Sequence, residues 1–581
     1  MSFPHQPKTV QKLFVIQESR FLSSYNLFWL ILSISLSISF AAPALIKALG
    51  GEYLAMDDAR QHLFWMQRFV DPELFPGDLI ADFYQSVAPP GVSGTYWLMN
   101  QIGIDPLLLN KFLPMILGAM TTVYCFMICT TILPLPVVGF VGSLLLNQSL
   151  WLHGELVTAT GTGFLYPTFL AFLYYLLRRS RWGVGLSLMV LGLCYAPLLL
   201  VAAGILSLRL IDWRGGRSVK DWLVRDRNEW ILFGTGLGIT LGIVLLYAFQ
   251  SSEFGPTVTA SEARTMPEFL DNGRTAFYYQ NSFWKFWFKN SRSGLRLSLN
   301  PPLVILGLFL PVLLRFSQQF SLAKQVNQRV EILWQLLFSS LGLFILAHGI
   351  LFKLYLPSRY TSHSLRIILS ISTALTLALV LDTTFRRWRS SVFPILLTLV
   401  LGSTLLFYPK LVWKSAFPRA HYFIGAESGI YMFLQNQPKD TVVASLAIEA
   451  DNLPMFSQRS VLVSWEHAIP YKMGYYRQIR QRARDLIQAH YSSDLKQIQD
   501  FVDTYDVDFF LLERDAFETE YMTENSWFLQ WSDLAQQVTD TLNSDQRPIL
   551  QQRSDQCNIF ETPNLVMLDA QCVAGTDGTQ S

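Results

Sequence analysis

Long apolar runs recur along the first two thirds of this chain. A helix that crosses the hydrocarbon core of a bilayer needs roughly 20 consecutive apolar residues. Ten runs approach or exceed that length, at residues 27–49, 107–130, 132–150, 162–178, 183–208, 229–249, 300–316, 331–353, 365–385 and 391–408. The pattern therefore predicts a polytopic α-helical membrane region over about residues 27–410.

Basic connections between the runs indicate which loops are cytoplasmic, because loops rich in Lys and Arg stay on that side of a membrane. Four connections are of this kind, at residues 178–181, 209–227, 315–329 and 386–389. Residues 1–26 carry Lys8, Lys12 and Arg20 ahead of the first run. We therefore expect a cytoplasmic N-terminus that is retained rather than cleaved as a signal peptide.

The run at 183–208 has basic residues on both sides, so it must leave and re-enter the cytoplasmic face. We expect two short helices there, broken near Pro197, which lacks a backbone donor. The chain then makes about eleven crossings. The segments predicted to lie outside are 50–106, 151–161, 250–299, 354–364 and the tail after about residue 410.

Composition supports a membrane region followed by a more polar tail. Of the 581 residues, 51% are hydrophobic and only 15% are charged, against the usual quarter in soluble domains. The charged residues become denser after about residue 410. No basic stripe stands outside the membrane loops, so we expect no nucleic-acid partner.

Two outer loops carry apolar side chains suited to a membrane surface. Residues 58–70 have the pattern of an amphipathic helix, whose apolar side chains we expect to rest on the interface: Leu63, Phe64, Trp65 and Phe69. Residues 283–289 combine dense aromatics with two lysines, which favours interfacial anchoring. The alternative for this segment is a platform for a sugar ring or a lipid chain.

Residues 411–581 have the pattern of a small extracytoplasmic α/β domain. Apolar runs at 441–446, 460–464 and 507–512 alternate with helical patterns at 472–488 and 494–504, which favours a mainly parallel sheet. We interpret the polar pair Glu466-His467 as a surface pair. We hypothesise a disulfide between Cys557 and Cys572, provided that the tail faces an oxidising compartment.

The most informative polar stretch, Asp57-Asp58-Ala59-Arg60-Gln61-His62, follows the first apolar run. If a helix begins at Asp57, Asp58 and His62 lie four residues apart on one face, which suits a polar ligand. The alternative is structural: Asp57 caps the helix, and Asp58 favours its positive end.

Two further polar features belong to the same predicted outer side. Glu155 follows the third apolar run, and Arg359, His363 and Arg366 lie near helical spacing after Pro357. Arginine suits multi-point recognition of phosphate. The alternative is that these cations extend toward lipid headgroups.

The acidic motif Met56-Asp57-Asp58-Ala59-Arg60-Gln61-His62, placed in a first outer loop directly after the first span, resembles that of the GT-C superfamily of integral-membrane glycosyltransferases. This superfamily includes protein O-mannosyltransferases and aminoarabinose and other polyprenyl-phosphate-sugar transferases. The second acid here is Asp, where many members carry Glu. The resemblance covers about residues 20–410, and the tail is similar to the extracytoplasmic domains of bacterial members.

The resemblance implies an inverting glycosyltransferase of a bacterial inner or plasma membrane, with a polyprenyl-phosphate sugar as donor and an extracytoplasmic acceptor. It implies Asp57 as the general base, with Asp58 orienting it. Asp58 and Glu155 are the candidate ligands of a divalent cation, Mg²⁺ or Mn²⁺. The candidate groups for binding the substrate and its phosphate are Arg60, His62, Glu155, Arg359, His363 and Arg366.

Two alternatives remain open on the sequence alone. The first is a catalytically silent GT-C-like scaffold whose tail binds a partner. The second is a transporter or flippase for a lipid-linked sugar, although such proteins often show internal repeats and polar residues at mid-membrane. No clear repeat is present, and the acids lie in predicted outer loops.

Overall fold

A computed structural model of the chain describes residues 23–212, 223–249, 254–279, 282–388, 391–413, 422–543 and 547–575. The basic N-terminal residues Lys8, Lys12 and Arg20 lie outside the described residues. So do Arg389 and most of the basic connection at 209–227.

A bundle of helices forms over each predicted apolar run. The helices are α1 Ser24–Leu49, α5 Pro106–Ile132, α6 Pro136–His153, α7 Gly161–Leu177, α8 Arg181–Cys194, α9 Ala196–Arg209, α10 Arg227–Phe249, α12 Leu310–Arg315, α13 Glu331–Gly349, α14 Ser358–Arg387 and α15 Phe393–Trp413. The run at 300–316 starts as a 3-10 helix, Pro302–Phe309, before it continues as α12. Among the residues that the structure describes, five helices (α1, α5, α10, α13 and α14) are long and apolar enough to cross a membrane, and the eleven crossings stay a prediction.

The predicted break in the run 183–208 is confirmed. Helix α8 ends at Cys194, Tyr195 is non-helical, and α9 begins at Ala196 with Pro197 in its first turn. Proline is tolerated there because the first turn has no intrahelical acceptor for its missing N–H. At the same end of the bundle as the start of α8, Arg179 pairs with Asp226, and Arg209 pairs with Glu229.

Helix α14 lies at the centre of the bundle. It packs against α6, α13 and the 3-10 helix Pro302–Phe309, and nearly all of its side chains from Ser358 to Leu379 are buried. It begins directly after Pro357, seven residues before the predicted start at 365. Arg359, His363 and Arg366 are therefore helical residues in its first turns.

Short helices fill the long connections at the other end of the bundle. In the first loop these are α2 Asp57–Leu63, a 3-10 helix Phe64–Phe69, α3 Leu79–Val87 and α4 Pro90–Gln101. In the loop before α12 they are α11 Ala260–Ala263, a 3-10 helix Pro267–Phe269 and a π-helical turn Lys285–Lys289. Near that turn Phe283, Trp284 and Phe288 remain exposed, so interfacial anchoring stays a prediction.

The tail contains a five-stranded mixed sheet in the order β4-β3-β5-β7-β6. Its strands are β3 Val442–Ser445, β4 Ser460–Val461, β5 Phe509–Glu513, β6 Asn558–Glu561 and β7 Leu565–Asp569. Strand β3 pairs parallel with β4 and β5, as predicted, but β7 pairs antiparallel with β5 and β6. The sheet is therefore half parallel, because a hairpin that the sequence pattern missed adds its last two strands.

Helices surround this sheet, and a disulfide links its last part. They are α16 Ser428–Gln435, α17 Leu453–Phe456, α18 Met473–His490, α19 Leu495–Tyr505, α20 Tyr521–Glu524, α21 Ser526–Gln530, α22 Ser532–Leu542, α23 Ile549–Cys557 and α24 Ala570–Ala574. The hypothesised disulfide between Cys557 and Cys572 is present in the structure. It joins the last residue of α23 to the middle of α24.

The tail lies on the loops at the end of the bundle where α1 finishes and α14 begins. Strand β1 Leu54–Met56 pairs antiparallel with β2 Tyr422–Ile424 of the tail. Buried Glu268 accepts hydrogen bonds from Arg480 and Tyr476 in α18. The predicted outer loops and the tail thus gather at one end, and which side of a membrane this end faces stays a prediction.

The interfacial role predicted for the apolar side chains of residues 58–70 is wrong. Leu63, Phe64 and Trp65 are at most 2% exposed, and the Phe64 ring lies 5.1 Å from the ring of His467 in the tail. These side chains pack under the tail instead of against lipid. An amphipathic pattern is the same for a helix that meets lipid and one that meets protein.

Candidate functional site

Strand β1 directly precedes the two acids of the site, Asp57 and Asp58. The strand ends at Met56, and helix α2 begins at Asp57. The residue in the N-cap position is Met56, which makes no side-chain cap bond, so the capping interpretation of Asp57 is wrong. Asp57 instead pairs with Arg60 at 3.0 Å, and its side chain is 46% exposed.

The neighbouring acid, Asp58, faces the interior of the bundle end. It interacts electrostatically with His62, one turn away, and with Arg359 and Glu155 from two other elements. Burial raises the pKa of Asp58 above its usual range, although His62 and Arg359 oppose this. Burial also lowers the pKa of His62, against the pull of Asp58. Adjacent acids thus face different surroundings.

Glu155 and Arg366 form the innermost ion pair. Helix α6 ends at His153, and the left-handed conformation of Gly154 (φ 70°) turns the chain directly before Glu155. An Arg366 amine nitrogen lies 2.5 Å from Glu155 Oε1, and both side chains are largely buried. Burial would raise the pKa of Glu155, but Arg366, His363 and Arg359 outweigh it and hold the pKa at about 2.

Two tyrosines complete the network around this pair. Arg366 donates to the hydroxyl of Tyr166 at 3.0 Å, and the same hydroxyl is hydrogen-bonded to Nδ1 of His363 at 2.8 Å. Nε2 of His363 then faces the Tyr195 hydroxyl at 3.5 Å. His363 is fully buried, and the network holds its ring rigidly beside Glu155.

Two further guanidinium groups converge on the same place without a partner. Arg359 and Arg296 each interact electrostatically with Glu155 and lie near Arg366 or Asp58. Within the described parts of the chain, neither guanidinium makes a hydrogen bond or an ion pair, and Nε of Arg359 is buried. Unpaired buried cations are costly unless an anion neutralises them. The site therefore has the charge pattern of an anion-binding pocket.

Sequence reasoning missed Arg296, because it follows the aromatic segment without any motif. The backbone of the 290–296 loop positions it. Ser358, at the start of α14, donates its N–H to the Arg292 carbonyl at 3.1 Å and its hydroxyl to the Ser291 carbonyl at 2.6 Å. Gly294 lies so close to Asn290 that a Cβ would sit 2.7 Å from the Asn290 carbonyl oxygen.

Arg60, predicted to bind substrate, is used to hold the tail. It donates to Asn452 at 2.6 Å, and its guanidinium lies 3.8 Å from the centre of the Phe423 ring in β2. Both terminal nitrogens of the guanidinium are therefore engaged, one by Asp57 and one by the tail. The geometry gives it the role of positioning the start of α2.

A second polar group lies between the tail and the first loop, on the side of Asp57. Glu466 pairs with Arg274 at 2.7 Å, and Gln61 donates to the Glu466 carbonyl at 2.6 Å. Burial raises the pKa of Glu466 to about 7, and Asp57 and Asp451 add to this against Arg274. The interpretation of Glu466-His467 as a surface pair is wrong, since His467 is fully buried and Glu466 is largely so.

Asp58 and Glu155 do not fit the predicted divalent cation. Mg²⁺ and Mn²⁺ prefer several oxygen ligands around them. In the part of the chain that the structure describes, no three His, Cys, Asp or Glu side chains group so that they could hold a metal ion. Around Glu155 the nearest groups are guanidiniums, which have no lone pair to offer.

Comparison with known proteins identifies this architecture. No family model matches the chain, and no curated protein matches its sequence. Among solved structures it is similar to the archaeal oligosaccharyltransferase AglB from Archaeoglobus fulgidus in complex with an inhibitory peptide and a dolichol-phosphate. The TM-score is 0.52 at 10% identity, over 89% of this chain and 72% of that one. The apo form of the same enzyme gives 0.52 at 9% identity, over 89% and 73%. The chain therefore shares its fold with this membrane oligosaccharyltransferase.

The acidic motif after the first span indicated the GT-C superfamily, and the oligosaccharyltransferase structures share the fold of this chain. At this identity the likeness concerns the fold alone, and it does not distinguish between subtypes of the superfamily. It extends through the tail as well as the bundle, since 89% of the chain is covered. The roles of the site residues rest on their geometry in this chain.

Proposed function

We propose that this chain transfers a sugar from a polyprenyl-phosphate-linked donor to an extracytoplasmic acceptor. The observation that carries the proposal is the pair of unpartnered guanidiniums, Arg359 and Arg296, beside the Glu155–Arg366 ion pair. A phosphate group supplies the negative charge that this cluster lacks, and arginine binds phosphate through several parallel hydrogen bonds. The fold, shared with an oligosaccharyltransferase whose structure holds a dolichol-phosphate, supports the same conclusion.

Asp58 is the proposed general base. The family resemblance favours Asp57, but Asp57 is half exposed and engaged by Arg60, whereas Asp58 faces the arginine cluster. A base works best when its pKa is near the working pH, and burial moves the pKa of Asp58 in that direction. Asp57 then positions Arg60, and through it the start of α2.

The reaction is a single displacement at the anomeric carbon. Asp58 accepts the proton of the acceptor hydroxyl while the acceptor oxygen forms its bond to that carbon. The bond from the carbon to the phosphate oxygen breaks, and its electron pair stays on the phosphate. Arg359, Arg296 and Arg366 stabilise the charge that develops on the leaving phosphate. Attack from the face opposite the phosphate inverts the anomeric configuration.

His62 and His363 support this arrangement from either side. His62 lies one turn after Asp58 and interacts with it electrostatically. His363 holds Tyr166, which in turn receives a hydrogen bond from Arg366. Glu155 fixes Arg366 so that the remaining cationic groups point at one place.

A transfer assay tests the proposal. Full-length protein in detergent or vesicles is incubated with a radiolabelled polyprenyl-phosphate sugar and a mixture of envelope acceptors. Release of polyprenyl phosphate together with labelled acceptor supports the proposal, and Arg359→Gln should reduce both. Movement of the labelled lipid across vesicles without cleavage would favour a flippase. Absence of cleavage and of movement, in protein that binds the lipid phosphate, would favour a silent scaffold.

A further inference from the structure

The charge balance at the centre of the site is unusual for a cation-binding enzyme. Two carboxylates, Asp58 and Glu155, share it with three guanidiniums, Arg296, Arg359 and Arg366. The arginines already exceed the carboxylates by one positive charge. The structure therefore supplies in side chains the positive charge that a divalent ion would bring.

The carboxylate of Glu155 also has a cationic partner already, the guanidinium of Arg366. A guanidinium nitrogen of Arg366 lies 2.5 Å from one carboxylate oxygen, in a charge-assisted hydrogen bond. The other oxygen lies 3.9 Å from Nδ1 of His363, which is already hydrogen-bonded to the Tyr166 hydroxyl. A metal ion at Glu155 would have to displace Arg366 to reach the carboxylate.

We propose that this site replaces a divalent cation with the guanidinium of Arg366, assisted by Arg359 and Arg296, and that it holds the donor phosphate without metal. The inference deepens the proposed function and rests on it for the identity of the phosphate. The absence of a divalent cation from the site does not depend on the identity of the phosphate. It is tested by metal binding, which needs no sugar transfer.

The first measurement is Mn²⁺ binding to purified full-length protein, followed by electron paramagnetic resonance of free Mn²⁺. Wild type should bind no Mn²⁺ at the site. Arg366→Met should release Glu155 and create a site for about one Mn²⁺ per chain with carboxylate ligands. The added site should disappear in the double variant Arg366→Met/Glu155→Gln.

Arg386→Met is the matched control. It frees the buried carboxylate of Asp382, which Arg386 binds at 2.9 Å, in α14 but far from the site. It should gain no Mn²⁺, which shows that a released carboxylate is insufficient by itself. Equal Mn²⁺ binding in both variants would overturn the assignment to this site.

The second measurement is thermal unfolding of wild type with inorganic pyrophosphate in excess EDTA. Stabilisation by the anion in EDTA, weakened in Arg359→Gln, supports a metal-free phosphate site. The proposal is overturned if wild type binds one Mn²⁺ that Asp58→Asn or Glu155→Gln removes, or if the anion stabilises only with metal present. Absence of transfer activity alone would refute the proposed function and leave these binding results to decide the inference.

Discussion

Arg366 and Glu155 meet at 2.5 Å, although one lies in the central helix α14 and the other in the loop after α6. Their ion pair links helix α14, which carries Arg359 as well as Arg366, to the loop after α6. Arg366 also donates to Tyr166 in α7, so one guanidinium connects three elements of the bundle. The geometry of the anion pocket therefore depends on this pair.

The Glu155→Gln variant should lose both stability and activity. Removing one partner of a buried ion pair leaves the other charge uncompensated, which costs about 3–5 kcal/mol. We expect a lower unfolding temperature than wild type, measured by intrinsic fluorescence in detergent. Glu73→Gln, an exposed acid paired with Lys439, is the control and should leave the unfolding temperature unchanged.

The Glu155–Arg366 pair should contribute the same stability at every pH in the neutral range. The pKa of Glu155 is lowered to about 2 in the folded chain, from an ordinary value near 4.5. A lowered pKa contributes stability that is present above about pH 4.5 and is lost as pH falls toward 2. If wild type and Glu155→Gln already had the same unfolding temperature at pH 6, this assignment would be contradicted.

The variants Asp58→Asn and Asp57→Asn should show which of the two acids is the general base. Removing a general base typically reduces the rate by about 10²- to 10⁴-fold. We expect that loss in kcat for Asp58→Asn, with binding of polyprenyl phosphate retained. Asp57→Asn should lose less activity, because it weakens only the position of Arg60. If Asp57→Asn loses more activity than Asp58→Asn, then Asp57 is the general base, as the family resemblance implies.

The helices of the bundle could be predicted from sequence because membrane-spanning runs have a strong and simple signal. The break before Pro197 followed from basic residues on both sides of one run. The side-by-side placement of Arg359, His363 and Arg366 followed from their spacing after Pro357. These are local properties, and each one depends on a few neighbouring residues.

Other features depend on distant contacts that no local pattern contains. Phe64 and Trp65 pack under the tail, but their spacing would suit a lipid surface equally well. Arg296 reaches the site only because Ser358 binds the backbone of its loop. Asp57 and Asp58 are adjacent in sequence, yet the pairing of β1 with a strand of the tail helps to decide which one faces the arginines.

Gly294→Ala should weaken donor binding more than folding. A Cβ at this position would lie 2.7 Å from the Asn290 carbonyl oxygen and 2.9 Å from its nitrogen, so the backbone must shift. The shift displaces the loop that carries Arg296. We expect a raised KM for the lipid-phosphate donor, about 3- to 10-fold, which corresponds to roughly 1 kcal/mol of binding.

Gly342→Ala is the matched control for that variant. Gly342 lies in α13, and no atom lies within 4 Å of the Cβ it would gain. Alanine also favours the helix over glycine by about 1 kcal/mol. The control should keep the wild-type KM, and an equal rise in KM for both variants would contradict the role of the 290–296 loop.

The contact between the tail and the first loop should respond to pH through Glu466. Burial raises the pKa of Glu466 to about 7 in the folded chain, although Arg274 opposes this. A raised pKa means that stability is greatest below about pH 4.5 and is lost as pH rises through 7, because the buried carboxyl must then ionise. A shift of this size corresponds to about 3 kcal/mol.

Glu466→Gln should remove this dependence. The amide is neutral at every pH and can still accept a hydrogen bond from Arg274, so the variant should resist limited proteolysis at pH 8 as well as wild type does at pH 5. Glu561→Gln, an exposed acid in β6, is the control and should follow the wild-type profile. A wild-type tail that is equally resistant at pH 5 and pH 8 would show that Glu466 ionises without cost, because Arg274 then outweighs its burial.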